Sequence, residues 1–382
     1  MPAATCLSTQ SSQPDARAMA LELAARASSA RFGIVTCTAG VDVEALRTAL
    51  TTALPDVPFV GVTSCRSVVA SGQVIAGPHA AAALWLCGDV KASVAAQTVV
   101  AADDAAGRQL LRNATKGLEG TAPSFALFHA TPGVEEPLLR GITQDLKPGL
   151  PFLGGTAADD EIAGRWSLFT HEARFVTGAV LALVSWPGKV AAPFVSGATQ
   201  TPQKGVVTKA RGRTIQEIDH RPAAIVYDQW LGGALGPALD SPDSILSKTT
   251  LTPLGVVRPS GITLVHPERV EQPTKGLTTF AEVLQGETVM LVRSTKVALQ
   301  GRPANLVSRA LGDVGELKGA LLIYCAGCML AIDPETKLMV QALQSVTRTT
   351  PLIGSFNFGE QGCHVGGKPE HGNLMTGVLL LG

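Results

Sequence analysis

With 382 residues, 46% hydrophobic and only 16% charged, the chain has the length and apolar content for two or more buried cores, which excludes a chain disordered throughout. Thirty-one basic residues cancel thirty-one acidic ones and no long basic run occurs, so nucleic acid is not an expected partner. Seven cysteines at irregular spacing, with no secretory leader before them, point to reduced thiols in a cytoplasmic setting.

The opening segment, residues 1–30, is small and polar and reads as a loose tail, with organelle targeting as a secondary role. An apolar run, "FGIVTCTAG" from Phe32, then meets leucines and valines at helical spacing, followed by the proline-led strand "PFVGVTSCRS" from Pro58. The same parts recur as "FALFHATPG" from Phe125 and "PFLGGTAADD" from Pro151, and the interval from Gly40 to Pro58 equals that from Gly133 to Pro151. A third copy runs from "ALLIYCAGCM" at Ala320, through one longer helix, to "PLIGSFNFGEQG" at Pro351. Strand, helix and strand in this order predict parallel pairs joined by right-handed crossovers. Each copy is followed by a turn-rich connection and another apolar strand, from His79, Thr177 and Thr376. The expected fold is therefore mixed α/β, α+β in its layering: two related halves with mixed sheets, layered helices and duplicated strand-helix-strand units.

Between the second and third copies the texture changes. "VVTKARGRTIQEIDHRPAAIVYDQWLGG" from Val206 predicts two strands and a helix opening near Arg221, with Pro222 in its first turn, and marks a domain boundary. The longest apolar stretches, Val74 to Cys87 and Thr177 to Trp186, are too short or too interrupted to span a bilayer, so no membrane insertion is expected.

These pieces, with the ordered motifs "GVTSCRSV", "FLGGTAADDEIAGRWSLFTHEARFVTGAVLALV", "YCAGCM" and "HGNLMTGVLLL", resemble the FIST family, whose members pair an N-terminal with a C-terminal module. The resemblance assigns residues 31–221 to the first module and 222–382 to the second. It implies a sensory or signal-transduction role, in which a small-molecule ligand is received and a separate signalling protein informed. It also implies haem as the alternative cofactor, because some bacterial relatives are haem-based nitric oxide sensors. Where the family tends to carry smaller or acidic groups after the first proline-led strand, this chain has "TSCRS", with Cys65 and Arg66.

Ligands gather at the carboxyl ends of parallel strands, where loops leave main-chain N–H groups unpaired. Glycines 61, 154 and 354 are expected to let the backbone turn there. A cleft between the two halves is predicted, with Thr63, Ser64 and Thr156 as hydrogen-bonding groups, Arg66 pairing a carboxylate and Glu360 meeting an amine or hydroxyl. Gly154, Gly155, His371 and Asn373 complete the binding set. The alternative function is a cysteine-dependent enzyme acting on a small carboxylate-containing substrate, with Cys325 or Cys65 as the catalytic thiol. Cys325 is expected to be partly exposed at a helix start that lowers its pKa. The Cys325-x-x-Cys328 pair lacks the second pair that structural zinc needs, so no metal site is predicted, and Cys87 and Cys328 read as packing. Adjacent Asp159 and Asp160 read as turn residues bonded to nearby backbone rather than as an acid–base pair.

Overall fold

The computed structural model describes residues 4–99 and 101–382. Its plan is a threefold repeat with one insertion. In the first repeat the strand Thr5–Ser11 and helix Ala16–Ala24 lead to strand Ala30–Thr38, helix Val43–Ala53 and strand Phe59–Ser64. A hairpin, Ser67–Ala70 with Gln73–Ala76, precedes the returning strand Ala81–Cys87. The second repeat has the same parts: Lys91–Gln97, helix Asp104–Gly117, Phe125–Ala130, helix Glu135–Asp145, Phe152–Thr156, the hairpin Leu168–Thr170 with Arg174–Phe175, and Ala179–Ser185. The third begins at Val190–Ala191, resumes after the insertion with helix Lys296–Val314 and strand Gly319–Cys325, and ends with Leu352–Asn357, the hairpin Glu360–Cys363 with Pro369–Gly372, and Thr376–Leu381.

Within each repeat the two central strands pair in parallel, as their glycine-and-proline punctuation predicts. Asp42 and Asp103 start their helices by accepting hydrogen bonds from the amides of Ala45 and Ala106 at 3.0 and 2.7 Å. The hairpins are exchanged in a ring. That of repeat two extends the sheet of repeat one, that of repeat three extends the sheet of repeat two, and that of repeat one extends the sheet of repeat three. At the centre of the ring three amides make equivalent bonds: Cys65 N–H to Phe356 O, Ala158 N–H to Thr63 O and Phe358 N–H to Thr156 O, at 2.9, 3.0 and 3.2 Å.

The inner faces of the three sheets meet in one core of Ile34, Val60, Leu127, Leu153, Ile323 and Ile353. The outer faces are covered by the helices, with Leu46 and Leu50 in repeat one and Leu110 and Leu138 in repeat two. Strands buried on both faces need unbroken apolar runs, which is why these segments read as continuous hydrophobic stretches.

The insertion is a separate sheet. The long strand Thr199–Arg211 pairs with Thr288–Arg293 on one side and Thr214–Ile218 on the other, and Leu254–Arg258, Gly261–Val265, Pro267–Glu271 and Gly276–Thr279 complete it. The helix Ala223–Trp230 follows Pro222, close to its expected start, and buries Tyr227 in the sheet's own core. Because residues 199–218 pair with residues 276–293, the division near residue 221 runs through one sheet rather than between two bodies.

The mixed α/β class holds, and two local expectations are corrected. The loose tail expected over residues 1–30 is corrected for its described part: Thr5–Ser11 pairs along Ala81–Cys87, and Asp15 caps a helix that buries Met19, Ala20 and Leu23. Trp85 fixes that helix by donating its indole N–H to Leu23 O at 2.9 Å. The single long helix expected after Cys325 is two helices, Ala326–Ile332 and Thr336–Thr347, interrupted at Pro334, which lacks an amide proton and clashes with the preceding turn.

Candidate functional site

The carboxyl ends of the central strands meet over the pseudo-threefold centre, and the insertion leans over the repeat-three side. Between them lies a cavity of about 510 Å³. Repeat one contributes Cys65 and repeat two Asp160 and Ile162; repeat three supplies Cys325, Gly327, Leu330, Phe358 and Asn373. The insertion supplies Leu246, Thr250, His266 and Phe280. The wall is largely apolar, with a few polar groups placed among the carbon atoms, which is the usual composition of a small-molecule pocket.

Comparing the repeats shows what is special here. Thr38 and Thr131 close their central strands, and each hydroxyl accepts a hydrogen bond at 3.0 Å from the amide that opens the returning strand, at Ala80 and Gly178. Cys325 occupies this position in repeat three, and the equivalent amide, that of Met375, donates instead to Glu360 Oε2 at 2.9 Å. Glu360 is fully buried and its Oε1 has no hydrogen-bond partner. Burial, and then the neighbouring Cys325, hold its carboxyl well above the usual carboxylate range against the opposing pull of the Met375 amide and Arg302. Burial behind the cavity wall therefore favours the protonated form of this acid.

The two thiols on the wall are also neutral. Burial pushes Cys325 well up, and contact with the Cys328 thiol acts in the same direction. Cys65 is pushed up to about 12, by burial first and the Asp160 carboxylate second. A helix does begin after Cys325, but the expected partly exposed, low-pKa thiol is corrected: Cys325 is 3% exposed, and desolvation outweighs the hydrogen bonds that favour its thiolate.

His266, which the sequence did not single out, is held down to about 4 by burial and is neutral. Its Nε2 lies 3.4 Å from the Thr250 hydroxyl, and its ring also bonds the Leu246 main chain. Asn373 stitches insertion to repeat: its Oδ1 accepts from His266 N at 3.2 Å and its Nδ2 donates to Phe358 O at 3.2 Å. The sole signal for His266 was its place at the end of the apolar strand in "GITLVHPERV".

Of the residues proposed from sequence, Cys65, Cys325 and Asn373 come together on the cavity wall, with Glu360 directly behind. The others go elsewhere. Thr63 accepts from Ser167 N at 2.9 Å, and Ser64 accepts from Phe356 N at 2.8 Å, so both hydroxyls hold strands of neighbouring repeats together. Gly154 and Gly155 lie inside a strand rather than in a turn; side chains there would strike the Phe128 carbonyl and the Asn357 side chain. Arg66 has φ +58° and faces a different groove, beside Asp333 and Lys337, so it cannot pair a charge in this cavity. Asp160 accepts from the Arg66 amide at 2.7 Å and Asp159 from the amides of Ala163 and Arg165 at 2.9 and 2.8 Å, the backbone roles expected of turn aspartates.

Thr156 and His371 belong to a buried network under repeat two. Thr156 donates to Glu135 Oε1 at 3.0 Å and accepts from Gln361 Nε2 at 2.8 Å, while that same Nε2 meets His371 Nδ1 at 2.9 Å. Glu135, Glu136 and His371 lie close enough to share a cation. Arg213, however, already binds both carboxylates at 2.7 Å and supplies the neutralising charge. A protein ligand for haem in this cavity would have to be His266, whose Nε2 faces the Thr250 hydroxyl at 3.4 Å, or one of the thiols that burial holds protonated.

Three exchanged α/β repeats, with a further sheet over one end of their common axis, define a mixed α/β module with a cavity where its parts meet. The chain belongs to the FIST family: the FIST N domain matches residues 31–221 and the FIST C domain residues 223–363. FIST domains are generally proposed to be sensory or signal-transduction modules. No curated protein matches the chain. Among the described residues no helix is long and apolar enough to cross a membrane.

Proposed function

We propose that this chain is a small-molecule receptor whose ligand sits in the cavity between the repeats and the insertion, and whose occupancy is read by a separate signalling protein. The observation that carries this reading is that every repeat and the insertion contribute to the wall of one cavity. A ligand there touches parts of the chain that are distant in sequence. The inner polar groups, His266, Cys65 and Cys325, are neutral, so the site favours an apolar body with an uncharged polar head facing Asn373. A carboxylate, if carried, belongs at the mouth, where Lys296 is the cationic side chain of the lining. Buried free thiols support a reducing, cytoplasmic setting.

Thermal-shift screening of metabolite sets, followed by calorimetry, tests the reading. A true ligand stabilises the wild-type chain, and Ala331→Trp, which fills the cavity, weakens its binding at least about tenfold while leaving the fold intact. A folded chain that binds nothing across apolar and amphipathic sets overturns the reading. An absorption spectrum of natively purified protein tests the haem alternative.

The position of Cys65 and Cys325 on the wall of one cavity favours a second reading, a thiol-dependent enzyme. It requires product formation that disappears in Cys325→Ser, whereas a receptor shows none in either protein.

A further inference from the structure

Two thiols stand three residues apart where the central strand of repeat three runs into the next helix. Cys325 ends the strand and caps the helix, and Cys328 lies in its first turn. Residues so spaced on a helix have Cα atoms about 5 Å apart. That falls inside the range, roughly 4.4–6.8 Å, that a disulfide spans. The Cys325 sulfur already touches both the thiol and the main-chain N–H of Cys328.

The other repeats show that neither sulfur is required by the fold. "TAGV" at Thr38–Val41 and "TPGV" at Thr131–Val134 become "CAGC" at Cys325–Cys328, so a structural threonine and a packing valine have both been replaced by cysteine. The threonine's hydrogen-bonding duty has passed to Glu360. Access to the two thiols is unequal: Cys325 lines the cavity, while Cys328 is fully buried and does not.

We propose that Cys325 and Cys328 form a redox-active dithiol, oxidised to an intramolecular disulfide by hydrogen peroxide that enters through the cavity. The Cys325 sulfur attacks one peroxide oxygen and the O–O bond breaks. The thiol proton passes to the departing hydroxide, with the Glu360 carboxyl beside it as relay, giving water and a Cys325 sulfenic acid. The Cys328 sulfur then displaces the hydroxyl from Cys325, forming the S–S bond and releasing a second water with its own proton. Two thiols thereby lose two electrons and one peroxide gains them. This rests on the cavity as a route for a small oxidant and not on the ligand proposed above, so a failed ligand search leaves it standing.

The test treats the folded full chain with stoichiometric hydrogen peroxide, alkylates the remaining thiols after denaturation, and digests with trypsin. Both cysteines fall in the peptide between Lys318 and Lys337. The expected result is loss of two hydrogens in that peptide with neither cysteine alkylated, reversed by dithiothreitol, while Cys37 and Cys87 remain alkylated. Cys328→Ala should abolish the two-hydrogen loss and let dimedone trap Cys325 as its sulfenic adduct. If wild-type protein keeps Cys325 and Cys328 alkylatable while Cys6 or Cys363 is oxidised, the proposal is overturned.

Discussion

Burial decides the charge of His266 and the two thiols on the cavity wall, and of His129 inside repeat two. His129 and His266 are both held down to about 4, each by desolvation, with a main-chain hydrogen bond opposing. The folded chain refuses protons that its unfolded form accepts below about pH 6.5. Stability is therefore fully present above that pH and is lost as pH falls toward 4, by about 2 kcal/mol per histidine at pH 5. Denaturant midpoints at pH 7.5, 6 and 5 should fall steadily, and His129→Gln should flatten part of that slope. An unchanged slope in that variant would mean that other groups carry the acid sensitivity.

At the scale of elements, the three proline-led strands and their preceding helices were legible, because apolar runs, glycine punctuation and equal spacing are local signals. The hairpin exchange was not. Which sheet receives Leu168–Thr170 or Glu360–Cys363 depends on partners far away in sequence, and no local pattern names them. The opening helix was missed because alanines hid its spacing of buried Ala16, Met19, Ala20 and Leu23. Position at a strand end was enough to place Cys65 and Cys325 on the cavity wall, whereas Thr63 and Thr156 lie away from it with their hydroxyls bonded to groups of neighbouring repeats. A lone histidine in an apolar run carries no mark that separates a cavity wall from a core, so His266 went unseen.

Close strand packing also sets a testable cost. A methyl group on Gly154 would meet the Phe128 carbonyl, which is fixed in the neighbouring strand and cannot rotate away. Gly154→Ala should cost at least about 1–3 kcal/mol, the usual range for overpacking a core. Chemical denaturation measures it, and a loss below about 0.5 kcal/mol would show that the sheet yields there.

For the whole molecule, cyclic exchange makes the repeats interdependent. A chain ending at residue 221 lacks Glu360–Cys363, which pairs Phe152–Thr156, and leaves Ser67–Ala70 without its partner Leu352–Asn357. Unpaired edges invite aggregation. Such a chain should lack a cooperative transition, whereas the full chain should give coincident unfolding curves by fluorescence and circular dichroism. A well-folded, monomeric 1–221 chain would contradict this.

The ring has one more property. The Cys6 side chain packs on Gly319, which pairs with Leu381, so the first strand of the chain lies against the last repeat. A short tether between the two ends, with a new opening at the exposed bend around Asp89, would yield a circular permutant that reads the repeats in the order two, three, one. Closure around the axis makes the order of synthesis incidental to the final architecture.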